Sequence, residues 1–137
     1  MHTQNWTSRV LVVDDEPLIR WSVSETLSDQ GFQVVESGDA QAARNAVRDA
    51  TRAFDVVVLD LNLPDSRDLS LLRLIHAMAP AAQVVLMTAY ATPEVVQEAV
   101  EAGAFDVVNK PFEIEHLARV VGRAVAAGAE RRVGFPH

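Results

Sequence analysis

Apolar residues cluster in five short runs, separated by longer stretches in which they recur every three or four positions. The runs are RVLVV (9–13), FQVVE (32–36), FDVVVL (54–59), QVVLM (83–87) and AFDVV (104–108). They are rich in valine and mostly continuous, the pattern of strands buried on both faces of a parallel sheet. The stretches between them read as helices. Residues 17–30 place Ile19, Val23 and Leu27 on one face and stop at Gly31, a C-terminal helix signal. A second helix is expected over 39–51, after Ser37-Gly38, and a third over 68–79, stopped by Pro80. The fourth starts at Thr92-Pro93-Glu94, a capping residue followed by proline at the first helical position, and ends at Gly103. The fifth covers roughly 113–127. The order is (βα)5. Strict alternation implies right-handed crossovers and a doubly wound parallel sheet with helices on both faces. Such sheets bind ligands beyond the carboxyl ends of their strands, so the residues just after each strand are where chemistry is expected.

Composition fits one such domain. The chain has 137 residues, 49% hydrophobic and 23% charged, the balance of a globular protein. The domain is expected over 9–127. Residues 1–8 form an N-terminal extension, and 128–137, polar and glycine-containing, read as a C-terminal tail or the start of a linker. A net charge of −7 repels phosphate backbones, so direct nucleic-acid binding by this chain is not expected. The chain has no cysteine, which removes disulfides, thiolate metal sites and cysteine nucleophiles. No apolar run approaches the ~20 residues of a membrane span. The start, MHTQNWTSR, lacks the apolar stretch of a signal peptide, so a cytoplasmic location is expected. The basic residues are all arginine except Lys110.

Functional groups recur at the strand ends. Asp14-Asp15-Glu16 follow the first strand, Asp60 the third, Thr88 the fourth and Asn109-Lys110-Pro111 the fifth. In a parallel sheet these meet at one edge. Any single Asp after a strand is most often a loop residue or a helix cap; the joint pattern, in order and one βα unit apart, is what points to a site. Crowded carboxylates stay ionised only beside a cation, and Mg2+ with its oxygen ligands suits them. Lys110 adds a positive charge for a phosphoryl oxygen, Thr88 a hydroxyl, and Asp60, central in the group, is placed as a nucleophile that could become an aspartyl phosphate. Positioning and charge neutralisation are most of what phosphoryl transfer asks of a protein.

The segments VLVVDDE (10–16), VVVLDLNLPD (56–65), VVLMTAY (84–90) and AGAFDVVNKPF (102–112) resemble the receiver domain of bacterial two-component response regulators. DDEPLIRW (14–21) and MTAYATPEVVQEAVEAGAFD (87–106) are most similar to receivers of NtrC-type transcriptional activators. The resemblance implies a flavodoxin-like sheet with strand order 2-1-3-4-5, and a signalling domain that catalyses only its own phosphorylation and dephosphorylation. It implies Asp60 as phosphoacceptor. Mg2+ would be held by Asp15, Asp60 and the backbone carbonyl of Asn62, with Asp14 acting largely through water. Lys110 would pair with the phosphoryl group and, at rest, with Asp60. Thr88 would move to the phosphoryl oxygen, and the Lys110–Pro111 bond would be cis. The implied donor is a phosphohistidine on a sensor histidine kinase. The implied output is a separate domain or partner protein, a homodimer among the candidates, reached through the fourth helix, fifth strand and fifth helix and directed to transcription regulation. Trp21, on the exposed face of the first helix with Leu18 and Glu25, is a candidate for kinase docking; the alternative is a ring lying flat on its own helix.

The sequence departs from the family at two places. Three residues before the lysine, where the family usually has Tyr or Phe, stands Val107. Phe105, expected on the same strand face, and Tyr90 are the candidate replacements for that ring. Eight residues after the acceptor, where glycine is common, stands Asp68. If the backbone there needed a positive φ, the loop 61–68 would take a different shape; the loop is also expected to add Asp65 and Asp68 near the acidic pocket. Asn62 and Tyr90 occupy the positions that tune loss of the phosphoryl group, and a ring at Tyr90 predicts slow to intermediate autodephosphorylation. A haloacid-dehalogenase-type phosphatase needs an Asp two residues after the nucleophile, where Asn62 stands. An idle receiver would have lost pocket residues that are all present. No G-x-G-x-x-G or G-x-x-x-x-G-K-[ST] phosphate loop occurs.

Overall fold

The computed structural model describes residues 7–133, with side chains described through Glu130. Five strands and five helices alternate: β1 (Arg9–Val13), α1 (Pro17–Asp29), β2 (Gln33–Ser37), α2 (Ala40–Asp49), β3 (Val56–Asp60), α3 (Ser70–Met78), β4 (Gln83–Thr88), α4 (Pro93–Glu101), β5 (Ala104–Asn109) and α5 (Ile114–Val133). The strands form one parallel sheet in the order β2-β1-β3-β4-β5, as expected. Of the N-terminal extension, residues 1–6 lie outside the described residues, as do 134–137 of the tail.

Two apolar layers cover the sheet. On one face α1 and α5 pack Val23, Leu27, Leu117, Val120, Val121 and Ala124 against Val10, Val12, Val56, Val58, Val85 and Met87. On the other, α2, α3 and α4 cover Leu11, Val13, Val57, Leu59, Val84 and Leu86. Every residue of β3 and β4 is buried. The expectation of strands buried on both faces fails for β2 and β5, whose residues are mostly half-buried or exposed, because each lies at an edge of the sheet with a neighbour on one side only. Among the described residues no helix is long and apolar enough to cross a membrane.

Side-chain caps mark the starts of α2 and α4. α4 begins as expected, with Thr92 Oγ1 accepting the Val95 amide at 3.2 Å ahead of Pro93. α2 is capped twice. Asp39 accepts the Ala42 amide at 2.7 Å, and Asp65, from the loop after β3, accepts the Ala40 and Gln41 amides at 2.8 and 3.1 Å. α5 runs to Val133, beyond the helix end expected near 127. Ala126, Ala127, Ala129, Glu130 and Arg131 are strong helix formers, and they outweigh the single unfavourable Gly128. α4 is the least anchored of the first four helices, burying only Ala99.

Candidate functional site: an acidic cleft at the strand ends

The register decides what meets at the carboxyl edge. Val13 pairs with Leu59, Asp60 with Met87 and Thr88 with Asn109, so the residues that end β1, β3, β4 and β5 lie side by side. Carboxylate oxygens of Asp14, Asp15 and Asp60 all lie within 4.8 Å of one another. Asp14 is fully buried and Asp60 only 3% exposed, whereas Asp15 faces solvent. Asp15, Glu16, Asp60, Asn62, Ala89 and Lys110 line a cleft of about 250 Å³.

Lys110 offsets part of the negative charge of this cluster. Its ammonium lies 3.1 Å from Asp14 Oδ2, 3.2 Å from Asp60 Oδ2 and 3.4 Å from Glu16 Oε1. Burial works against the charged amine, but Asp14 and Asp60 outweigh it and hold the lysine pKa above its ordinary value. Burial pushes the Asp60 carboxyl the other way, above the usual carboxylate range, against the Asn62 amide bond and the Lys110 charge. Backbone amides aim the carboxylates: Glu16 N–H donates to Asp14 Oδ1 at 2.8 Å and Asn62 N–H to Asp60 Oδ1 at 3.0 Å. Three acidic side chains facing one ammonium leave the cleft short of positive charge. Its ligand atoms are oxygens, and the carboxylates of Asp15 and Glu16 are accessible, which suits a hard divalent ion. The Lys110–Pro111 peptide is cis, as expected.

Thr88 stands apart. It is buried, does not line the cleft, and its Oγ1 accepts the Tyr90 amide at 3.1 Å. Asn109 Oδ1 accepts the Ala91 amide at 3.1 Å, and the Lys110 amide bonds the Thr88 carbonyl at 2.7 Å, so the loop after β4 is tied to the end of β5. Tyr90 is 78% exposed and does not line the cleft, so its ring does not shield Asp60 in this conformation.

Two expectations about the departures are corrected. Phe105 does not share a face with Val107: Val84 pairs with Ala104 but Val85 with Asp106, a bulge that leaves Phe105 unpaired and breaks the alternation. Phe105 packs on the α1–α5 side and Val107 on the opposite layer, and Tyr90 is exposed, so neither ring stands where Val107 stands. Asp65 and Asp68 do not join the acidic cluster. No non-glycine residue among those described has a positive φ, so Asp68 is unstrained. It accepts the Ser70 amide at 2.9 Å at the start of α3, while Asp65 caps α2 across the loop. The turn 63–66, closed by reciprocal Leu63–Ser66 backbone bonds, aims Asp65 there.

Arg20 and Glu36 were not marked by sequence reasoning. Arg20 donates to the Asp14 carbonyl at 2.7 Å and pairs with Glu36 at 3.0 Å. The only sequence signal is an arginine within two helical turns of the acidic run.

The geometry thus defines a doubly wound α/β domain with an acidic, lysine-closed cleft at its strand ends. Residues 10–122 match the family described as the response regulator receiver domain, and the chain belongs to that family. The chain is 35% identical over 118 residues to the regulatory protein AtoC of Escherichia coli K12, covering 86% of this chain and 25% of that protein. NtrC and PilR regulators are also among its relatives. In structure it resembles NtrX from Brucella abortus, solved in complex with ATP, with a TM-score of 0.83, 36% identity, and coverage of 93% of this chain and 29% of that one. It also resembles the BeF3-activated DrrB receiver domain, with a TM-score of 0.78, 36% identity, and coverage of 88% and 99%. The chain therefore spans about a quarter of the length of relatives such as AtoC. Receiver domains of response regulators take phosphoryl groups from kinases and regulate output domains.

Proposed function

We infer that this domain is phosphorylated on Asp60 in a Mg2+-dependent reaction and passes the change to an output domain or partner through the β4–α4 loop. The observation that carries this reading is the ammonium of Lys110 bridging Asp14 and Asp60 at the mouth of an all-oxygen cleft. Asp15, Asp60 and the Asn62 carbonyl are the residues assigned to hold Mg2+, with Asp14 behind them through water. The bound ion supplies charge neutralisation at the phosphoryl oxygens.

The protein's own part follows from its contacts. Asp60 presents Oδ2 to the donor while Oδ1 stays fixed by the Asn62 amide. A new P–O bond forms as the donor's P–N bond breaks, and the leaving imidazole keeps the electron pair and takes up a proton. Lys110 exchanges part of its contact with Asp60 for a phosphoryl oxygen. The product adds roughly −1.5 to −2 charge. Thr88, now bonded to the Tyr90 amide, turns its hydroxyl to the phosphoryl group, and the loop 88–92 and the lightly anchored α4 follow. Val107 leaves this switch without an inward-swinging ring at that position. Asn62 beside the acceptor, with Tyr90 once the loop has moved, sets access of water to the acyl phosphate.

The phosphohistidine of a sensor kinase is the donor we assign. Leu18 and Trp21 are 74% and 57% exposed, and an apolar cleft lined by Leu18, Ile19, Pro111, Phe112 and Ile114 opens beside the acidic one. That surface brings a partner's phosphohistidine to Asp60. A cytoplasmic location and an output in transcription complete the reading, the latter resting on relatives such as AtoC and NtrC.

Thermal melting with Mg2+ and beryllofluoride, a phosphoryl mimic, tests the site. At 100 times Kd, a ligand of the folded state adds about 2.7 kcal/mol of stability. The expected result is a rise in Tm with both together that Asp60→Ala abolishes. An equal rise in Asp60→Ala would contradict the assignment.

A further inference from the structure

β1 leaves the sheet at its last paired residue, Val13, opposite Ser37. Beyond it the Asp14 amide still reaches the Ser37 carbonyl at 3.1 Å. The Asp14 carbonyl, beyond the paired residues, needs a donor from elsewhere, because a buried carbonyl without one is costly. Arg20 supplies it. Its Nη1 donates at 2.7 Å, from one helical turn into α1. The guanidinium is itself fixed, because Nε pairs with Glu36 Oε1 at 3.0 Å on the neighbouring strand. Gly38 makes room for it: a Cβ there would lie 3.2 Å from Arg20 Nη1. One planar group thus ties β2, α1 and the turn carrying Asp14 and Asp15 into a single unit.

We propose that Arg20 is a positioning residue for the divalent-cation site, holding the Asp14–Asp15 turn through the Asp14 carbonyl so that Asp15 faces Asp60. The inference rests on the Mg2+ reading above. It predicts the opposite of what charge alone predicts. Arg20 is a cation near a cation site, so simple Coulomb repulsion says that removing it should tighten Mg2+ binding. Positioning says that removing it should weaken binding, by roughly 10- to 100-fold as for other groups that orient metal ligands.

The test is a calorimetric Mg2+ titration of the wild type, Arg20→Met and Arg20→Lys, with melting in EDTA to report folding separately. The expected result is a Kd raised at least about tenfold in Arg20→Met. Arg20→Lys should recover part of the loss, because one ammonium cannot reproduce both arms of the fork. Gly38→Ala, which crowds Nη1 without removing any charge, should weaken binding by a smaller factor, and it serves if Arg20→Met does not fold. A Kd that is unchanged or lower in Arg20→Met, or in Gly38→Ala where the former is unfolded, would overturn the role of Arg20. Wild-type protein that takes up no Mg2+ would instead overturn the reading on which it rests.

Discussion

Lys110 is the only lysine in the chain, and it stands against three carboxylates. A bidentate guanidinium would suit one carboxylate well; a compact ammonium with three donors suits three acceptors converging from different directions. The site is therefore chemically specific at single residues, and so are its supports. Asp65 shows this outside the cleft. Its bond from the Ala40 amide, with help from Gln41, holds its carboxyl below the ordinary value of 3.8. A lowered folded pKa means that the unfolded chain binds more protons, so the stability Asp65 contributes is present above the unfolded value of 3.8 and is lost as pH falls below it, through the lower folded pKa. Asp65→Ala should cost about 1 kcal/mol at neutral pH, the usual worth of a helix cap. In urea melts at a series of pH values, the gap from the wild type should close on the acid side. A gap that stays constant with pH would contradict the capping role.

At the scale of elements, two tight glycine turns differ in a measurable way. Gly31 ends α1 with φ of 96° and has open space around a would-be Cβ; Gly103 joins α4 to β5 with φ of 112°, and a Cβ there would meet the His76 ring at 2.7 Å. Gly31→Ala should cost about 1 kcal/mol for backbone strain alone, and Gly103→Ala about 2 kcal/mol or more because the ring of α3 must also give way. Adding His76→Ala to Gly103→Ala should recover the steric part and leave the backbone part, a coupling that denaturant melts of the four variants would read. The elements themselves were legible in the sequence. Valine runs marked all five strands, and Gly31, Pro80 and the Thr92-Pro93 pair marked helix ends, because these signals are local. What was not legible depends on neighbours. The bulge that turns Phe105 away from Val107 is set by pairing with β4. The capping of α2 by Asp65 and the bond from Arg20 to Asp14 each join segments that only the fold brings together.

The sheet order puts the ends of β1, β3, β4 and β5 at one edge, and the carboxylates of Asp14, Asp15 and Asp60 gather there. The candidate site residues were legible because each ends or closely follows a strand, so (βα)5 periodicity brings them to one edge. Their resting contacts were not, since Thr88 is held by the Tyr90 amide outside the cleft and Glu16 joins Asp60 on Lys110. The same fold gives phosphorylation a route outward. Asp60 and Thr88 end adjacent strands, the loop after Thr88 is bonded to Asn109, and α4 beyond it buries one residue. Phosphorylation of Asp60 is a covalent change, and intact-mass measurement after incubation with Mg2+ and acetyl phosphate tests for it. The expected result is an adduct of about 80 Da on the wild type that needs Mg2+ and is absent from Asp60→Ala. An adduct that persists in Asp60→Ala, or a wild-type protein that binds Mg2+ yet acquires none, would contradict it.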